Sequence, residues 1–486
     1  MSLSHKEHEK IIHAKLGDSQ MRENLSKAMH TLQNNRKNVI NAKFYDWEGL
    51  RQKAKRAKNN AIYRLGERLE EFEKNATKNG IKVHWASSAE DACEIIYLLM
   101  KERGATKILK GKSMASEEIG LNHYLQHKGV VATETDLGEL ILQLDDEPPV
   151  HIVVPAIHKN RYQVGETFKN KLGAPLEHDI EKLNQIARKH LREQFEELSV
   201  GLSGVNFAMS REGAFWLIEN EGNGRMCTTS PDIHIAICGI EKMMETFEDA
   251  ATTVALTTPS ATGQFIPTYN NIITGPRGKN NELDGPKEVH IVLFDNHRTK
   301  MAAHEDFNEA LRCIRCGCCM NFCPVYDKVG GHSYVGEIGR TIYPGPIGEV
   351  IGPNLFGIDK MSDILTLCSL CGRCSEVCPV MIPLADLIRK LRSHKVAQGT
   401  PPQINGAQNI QPNASESFVF KRFASFATSG KLWRFGVGNA HLFNSVVHTM
   451  GGAIPVVKNW VKFKDLPQLK FNLYKEIQKI EGVIYE

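Results

Sequence analysis

The sequence predicts an α/β domain, then a smaller helical domain organised around cysteine, then a helical tail. Three observations carry this reading. Residues 46–300 alternate strand-like and helix-like patterns, nine of the 12 cysteines fall between Cys313 and Cys378, and residues 398–415 hold no charged side chain. A chain of 486 residues has room for two or three domains, and 41% hydrophobic with 24% charged residues is the balance of a soluble globular protein. A net charge of +4 is too small to mark a nucleic-acid binder. Residues 1–45 form an N-terminal extension without the apolar core of a signal peptide, so a reducing, cytoplasmic setting is expected.

Within residues 46–300 a long helix comes first, with Leu50, Ala54, Ala57, Ala61, Leu65, Leu69 and Phe72 on one face. The segment Ile81–Trp85 alternates as a strand. Ser88 with Asp91 three residues later has the pattern of a capping box. Apolar strands are expected at Lys107–Lys110, His151–Pro155, Phe215–Ile218, His234–Cys238 and His290–Phe294, with helices between several of them. Such alternation builds a mostly parallel sheet. Neither a G-x-G-x-x-G nor a P-loop occurs, so no nucleotide or flavin site is recognisable by motif.

The helical domain, residues 301–397, is defined by two runs of one pattern. Cys368, Cys371, Cys374 and Cys378-Pro379 read C-x2-C-x2-C-x3-C-P. Laid on the first run, the pattern selects Cys313, Cys316, Cys319 and Cys323-Pro324, and leaves Cys318 opposite Arg373 as a spare thiol. Three thiolates spaced by two residues can each bind one iron of a cubane, while the cysteine before proline serves the neighbouring cluster. The expected ligands of one [4Fe–4S] cluster are therefore Cys313, Cys316, Cys319 and Cys378. Those of a second are Cys368, Cys371, Cys374 and Cys323. A four-cysteine zinc site would use neither the third cysteine of each triplet nor both C-P endings. The two runs are 44 residues apart, and their flanks look helical: Leu384, Leu387, Ile388 and Leu391 keep the i, i+3, i+4, i+7 rule, and Glu305–Leu311 and Asp363–Leu367 lead into the runs. The insert is dense in turn formers at Gly330–Tyr334 and Tyr343–Gly348; His332 within it is read as a hydrogen-bonded loop residue.

Residues 398–415 read as a linker. The C-terminal region, 416–486, contains a 48-residue stretch, Ser417–Lys464, with seven basic, no acidic and nine Phe or Trp side chains. A helical tail packed on the preceding domain explains it, and so does a peripheral contact with anionic lipid or an acidic partner. The uncharged segment Phe435–Val457 is long enough to span a bilayer, but its asparagines, histidines and glycines argue against that.

Beyond the cysteine runs, the chain carries Lys112-Ser-Met-Ala-Ser-Glu-Glu118, Glu134-Thr-Asp-Leu-Gly-Glu139, Pro155-Ala-Ile-His158, Asn220-Glu-Gly-Asn-Gly-Arg225, Ser260-Ala-Thr-Gly-Gln264, Gly275-Pro-Arg277 and Asp284-Gly-Pro286. In these it resembles the iron–sulphur subunit of the three-protein L-lactate utilisation system, the lactate utilisation protein B family. The resemblance covers residues 50–400 strongly and the tail more weakly. It implies that residues 46–300 are a LUD domain, related in fold to sugar-phosphate isomerases and CoA transferases, joined to a helical ferredoxin domain with two [4Fe–4S] clusters. It also implies an electron-carrying role in oxidising L-lactate to pyruvate, with a cysteine-rich redox subunit and a second LUD protein as partners. The segment from Tyr334 to Tyr343 is longer here than the family's spacing.

The residues alone give an electron relay rather than a complete dehydrogenase, so no catalytic residue is assigned. Two other readings stay open. One is a relay subunit of a different respiratory oxidoreductase. The other is a LUD domain with its own ligand-binding or CoA-transferase-like activity, for which Glu219 and Glu221, before a glycine-rich turn at a strand end, are the candidates. The simpler account of that pair is that both carboxylates are salt-bridged and the glycines make the turn.

Overall fold

The structure, a computed structural model, describes residues 3–278, 284–339, 341–396, 404–410 and 414–443. The chain forms two compact units, one of residues 1–395 and 399–410 and one of 396–398 and 411–486.

The first unit is built on a parallel sheet. Its strands are β1 (Ile81–Ala86), β2 (Lys107–Lys110), β3 (Val131–Glu134), β4 (Val200–Gly204), β7 (Ile233–Gly239) and β10 (Glu288–Phe294), in the order β1-β10-β7-β4-β2-β3. Every neighbouring pair is parallel. The central strands β7, IHIAICG, and β10, EVHIVLF, are almost continuously apolar because helices cover both faces. A second, four-stranded sheet holds β5 (Phe207–Met209), β6 (Ala214–Glu219), β8 (Met243–Met244) and β9 (Tyr269–Ile273), ordered β8-β5-β6-β9 and antiparallel at β5–β6 and β6–β9. The Phe215–Ile218 strand therefore lies in this side sheet, outside the parallel one.

Two other expectations are corrected. His151–Pro155 is not a strand. The His151 Nδ1 accepts from the amides of Val153 and Val154, and the amide of Val150 donates to the carbonyl of Pro155, so this apolar run closes on itself as a turn. The long first helix is two, α3 (Trp47–Tyr63) and α4 (Leu65–Lys78), broken at Arg64. The capping box at Ser88 is present and starts α5 (Ala89–Glu102): the Ser88 hydroxyl accepts from the Asp91 amide, and the Asp91 carboxylate accepts from the Ser88 amide.

The cysteine-rich segment packs into the same unit and shares one apolar core with the N-terminal helices α1 (His5–Gly17) and α2 (Ser19–Lys43). Met21, Leu25 and Met29 of α2 are buried with Tyr326, Val329 and Tyr334. The segments leading into the two runs are short 3-10 turns, Asn308–Arg312 and Ser362–Leu367. Residues from Gly345 in the glycine- and proline-rich insert continue as a buried helix, Gly345–Phe356. Residues 404–410, within the stretch whose composition reads as linker, pack against this helix: Ile404 is fully buried and the Asn405 side chain donates to the carbonyl of Leu355.

In the second unit the described residues form helices Ala414–Thr428 and Gly430–Asn439, on which Phe418, Phe420, Phe423 and Phe435 are exposed. No helix among the described residues is long and apolar enough to cross a membrane. Most of the stretch 435–457 lies outside the described residues, as do Lys458, Trp460, Lys462 and Lys464.

Candidate metal centre

The internal repeat read from the cysteines is also a repeat of backbone. Arg315 and Leu370, at matching positions, have φ of 60° and 56°, and Gly317 and Gly372 have 72° and 79°. Two left-handed residues per run curl the chain so that successive cysteines face inward. The matching amides also point at sulphur: Arg315 donates to Cys313 Sγ at 3.4 Å, and Leu370 donates to Cys368 Sγ at 3.3 Å. Each run then enters a short helix, Cys318–Asn321 and Arg373–Val377. Arg315 and Leu370 carry no glycine-like signal, so only the structure reveals their conformation. A side chain at Gly317 would bring its Cβ within 2.8 Å of the His151 ring, so the turn at His151–Pro155 also fixes how closely this loop is approached.

The structure brings Cys313, Cys316, Cys319 and Cys378 around one cavity, which is also lined by Cys318, Arg315 and apolar groups including Ile347, Val380 and Leu384. Cys323, Cys368, Cys371 and Cys374 form a neighbouring set, each close enough to others of the set to act on their charge. Cys374 acts likewise on Cys319, so the two sets adjoin. Cys318 is fully buried, and its thiol is directed to the carbonyl of Val377 at 3.6 Å.

These donors suit an iron–sulphur group. Burial pushes the thiols of Cys323 and Cys374 up to about 12 and raises those of Cys316, Cys319 and Cys378. A buried set of this kind gives up its protons only to a strongly positive centre. The spacing argues against a single ion: among the described residues the one trio of ligand atoms within 4.8 Å of one another is Glu147, His158 and His332, which contains no cysteine. A tetrahedral zinc draws its sulphurs closer than that, at Zn–S of about 2.3 Å. The trio itself is occupied by other contacts. Glu147 is held to about 2, first by its hydrogen bond from His158 and also by Lys159, whose ammonium lies 2.8 Å away and opposes a cation. His332 pairs with the carbonyl of Pro148 at 2.9 Å.

Sequence reasoning missed two features beside the cysteines. Glu349, in the Gly345–Phe356 helix, is fully buried, and burial holds its carboxyl well above the usual range, against the pull of Arg392. It lies close enough to Cys323 and Cys368 to act on both. The second is an ion network joining the α/β domain to the first cysteine run. Arg298 donates to both oxygens of Glu118, at 2.8 and 2.7 Å, and to Glu241; Arg315 reaches Glu241 at 3.2 Å, and the Tyr343 hydroxyl donates to Glu118 at 2.7 Å. Glu118 closes the 112–118 motif, which places that motif at the domain junction.

Among the described residues, neither Glu219 nor Glu221 forms a salt bridge. Glu219 accepts from the amides of Gly224 and Arg225, both at 2.6 Å, and from Asn271 at 3.0 Å. It is committed to holding the turn and is unsuited to act as a nucleophile. Glu221 faces Asp136, and its carboxyl is raised first by burial and then by that neighbour.

An α/β domain whose parallel sheet abuts a twice-repeated cysteine loop defines an iron–sulphur protein of the LUD class. Family models agree: a LUD domain matches residues 69–294, a 4Fe-4S dicluster domain matches 309–382, and the C-terminal domain of lactate utilisation protein B matches 390–483. The chain is 37% identical over 472 residues to lactate utilization protein B of Bacillus cytotoxicus, spanning 96% of this chain and 95% of that one. It is 38% identical to the Macrococcus caseolyticus protein of the same name, over 90% of this chain and 88% of that one. It is also 38% identical, over 94% and 93%, to an uncharacterized electron transport protein, YkgF, of Escherichia coli. The chain belongs to the lactate utilization protein B family.

Proposed function

We propose that this chain is the electron-transfer subunit of a multi-subunit system that oxidises L-lactate to pyruvate, holding two [4Fe–4S] clusters. Cys313, Cys316, Cys319 and Cys378 would bind one, and Cys368, Cys371, Cys374 and Cys323 the other. The observation that carries the reading is the crossed grouping of the eight thiols into two adjoining sets. Such clusters supply one-electron transfer at potentials set by charge, hydrogen bonds and exposure. The chain's own groups address each of these. The amides of Arg315 and Leu370 donate to sulphur, Arg315 adds positive charge beside the inner set, and apolar side chains exclude water from it. The outer set reaches the surface at Cys371, where a redox partner has access. A cysteine-rich subunit and a second LUD protein are the proposed partners, and one of them is proposed to supply the site that takes an electron pair from lactate.

The test is anaerobic co-purification of the complex followed by EPR. L-lactate is expected to reduce the clusters in the complex, while the isolated chain with L-lactate stays oxidised. Reduction of the isolated chain by lactate would overturn the division of labour.

The tail is proposed to dock on an anionic surface. Its exposed Phe418, Phe420, Phe423 and Phe435 lie among Lys421, Arg422, Lys431 and Arg434, and each basic residue near such a surface adds about 1 kcal/mol. The full chain is expected to sediment with phosphatidylserine vesicles at low salt and to be released at high salt. Equal sedimentation after removal of residues 417–486 would refute this.

A further inference from the structure

A cavity of about 250 Å³ opens where the strands of the parallel sheet end, lined by Gly204 at the close of β4 and Gly239 at the close of β7, and by Cys316 of the iron–sulphur module. Ligands of open parallel sheets bind at this end of the strands. Its wall contains hydrogen-bonding capacity that the fold leaves unused. Arg315 spends Nη2 on Glu241 and stacks over Tyr343 at 4.7 Å, but its buried Nη1 has no partner. The Thr258 hydroxyl, on a side chain only 6% exposed, is also unpartnered. Lys242, half-buried in the same wall, makes no hydrogen bond or ion pair among the described residues. Leaving such groups buried and unpaired is costly, about 1–3 kcal/mol for each neutral group and more for a charged one.

We infer that this cavity is a binding site for a small monocarboxylate with a polar remainder, the carboxylate held by Arg315 and Lys242 beside Cys316 and the remainder met by Thr258. Three donors match the two oxygens of a carboxylate and one further oxygen. A single negative charge is favoured because another part of the same wall carries Asp136 and Glu221, two carboxylates close enough to act on each other, against one cation there, Lys112, so that a second anionic group meets net repulsion. That repulsion disfavours phosphate esters and dicarboxylates. Burial, and then the neighbouring Arg315, lower the Lys242 ammonium; Glu241 opposes this, and an anion beside Lys242 would act in the same sense as Glu241. The significance of the position rests on the proposed relay, since Cys316 is a proposed cluster ligand. A bound carboxylate would then lie against the inner cluster, and its charge would be sensed there. Binding itself is independent of that assignment.

Anaerobically purified full-length holoprotein titrated with L-lactate, pyruvate and inorganic phosphate, by calorimetry and by EPR of the dithionite-reduced protein, tests this. Saturable binding of lactate or pyruvate is expected, with a changed line shape for one cluster signal and with phosphate binding more weakly. Lys242→Met and Thr258→Val are each expected to weaken binding, by about tenfold or more for Lys242→Met, with iron content and the ligand-free spectrum unchanged. No saturable binding of either carboxylate to wild-type holoprotein overturns the site, as does binding that both variants leave intact. Phosphate binding as tightly as the carboxylates overturns the monocarboxylate specificity. Iron, sulphide and lactate-driven reduction in the complex, measured on the same preparations, report on the relay separately, so either reading can fail alone.

Discussion

Cys316→Ser is expected to reduce the iron and sulphide of the anaerobically purified chain from about eight of each to about four, while Cys318→Ser leaves both unchanged. Cys318 is the more buried of the two, so a general packing defect would predict the opposite ranking: its side chain is 0% exposed against 8% for Cys316. The expected contrast comes from direction. Cys316 and Cys318 both line the cavity shared with Cys313, Cys319 and Cys378, but the Cys318 thiol is spent on the carbonyl of Val377. The crossing gives a sharper version. Cys378→Ser, in the second run, should remove the cluster of the first run, and Cys323→Ser should remove that of the second. EPR of the two variants should therefore show complementary losses. Loss of the same signal in Cys378→Ser and Cys371→Ser would show that the sets are not crossed.

Arg298→Met is expected to be among the most destabilising single changes outside the cysteines, by about 3–5 kcal/mol. Arg298 is 1% exposed and lies between Glu118 and Glu241, themselves 1% and 2% exposed. Burial alone would raise both carboxyls; the Arg298 guanidinium overrides this and holds them below the usual range, with Arg315 assisting at Glu241. Carboxyls lowered on folding contribute stability that is present above their unfolded value and is lost as pH falls through the folded one. In Arg298→Met the buried carboxyls lack that partner and protonation relieves them. The deficit should therefore be largest near neutrality and should narrow on acidification toward about pH 5. Thermal melts of holoprotein and variant across that range measure it; a deficit that grows on acidification would contradict the assignment.

How much of this could be read in advance depended on whether the signal was local. The iron–sulphur character was legible because two runs of the same pattern could be laid on each other; the same overlay proposes Cys318 as the spare thiol. Central strands such as His234–Cys238 and His290–Phe294 were legible because burial on both faces makes them continuously apolar. His151–Pro155 has the same composition but turns, since the His151 ring takes two backbone amides that a strand would have given to a neighbour. Phe215–Ile218 is a strand, yet nothing in its own residues says which sheet it joins. The left-handed Arg315 and Leu370 escaped notice because no side chain advertises that conformation. The Arg298–Glu118 pair spans 180 positions, and such a contact exists only once the α/β domain has folded.

Seven of the eight proposed ligand cysteines are buried or half-buried, and Cys371 alone is exposed. The consequence is an unequal durability in air. Dioxygen and its reduction products would have to cross protein to reach the proposed inner cluster but would meet the proposed outer one at Cys371 directly. The same opening proposed to admit a redox partner is therefore where oxidative decay of the proposed clusters would begin. A cell growing with oxygen would have to keep that edge covered by its partner or continually repair it.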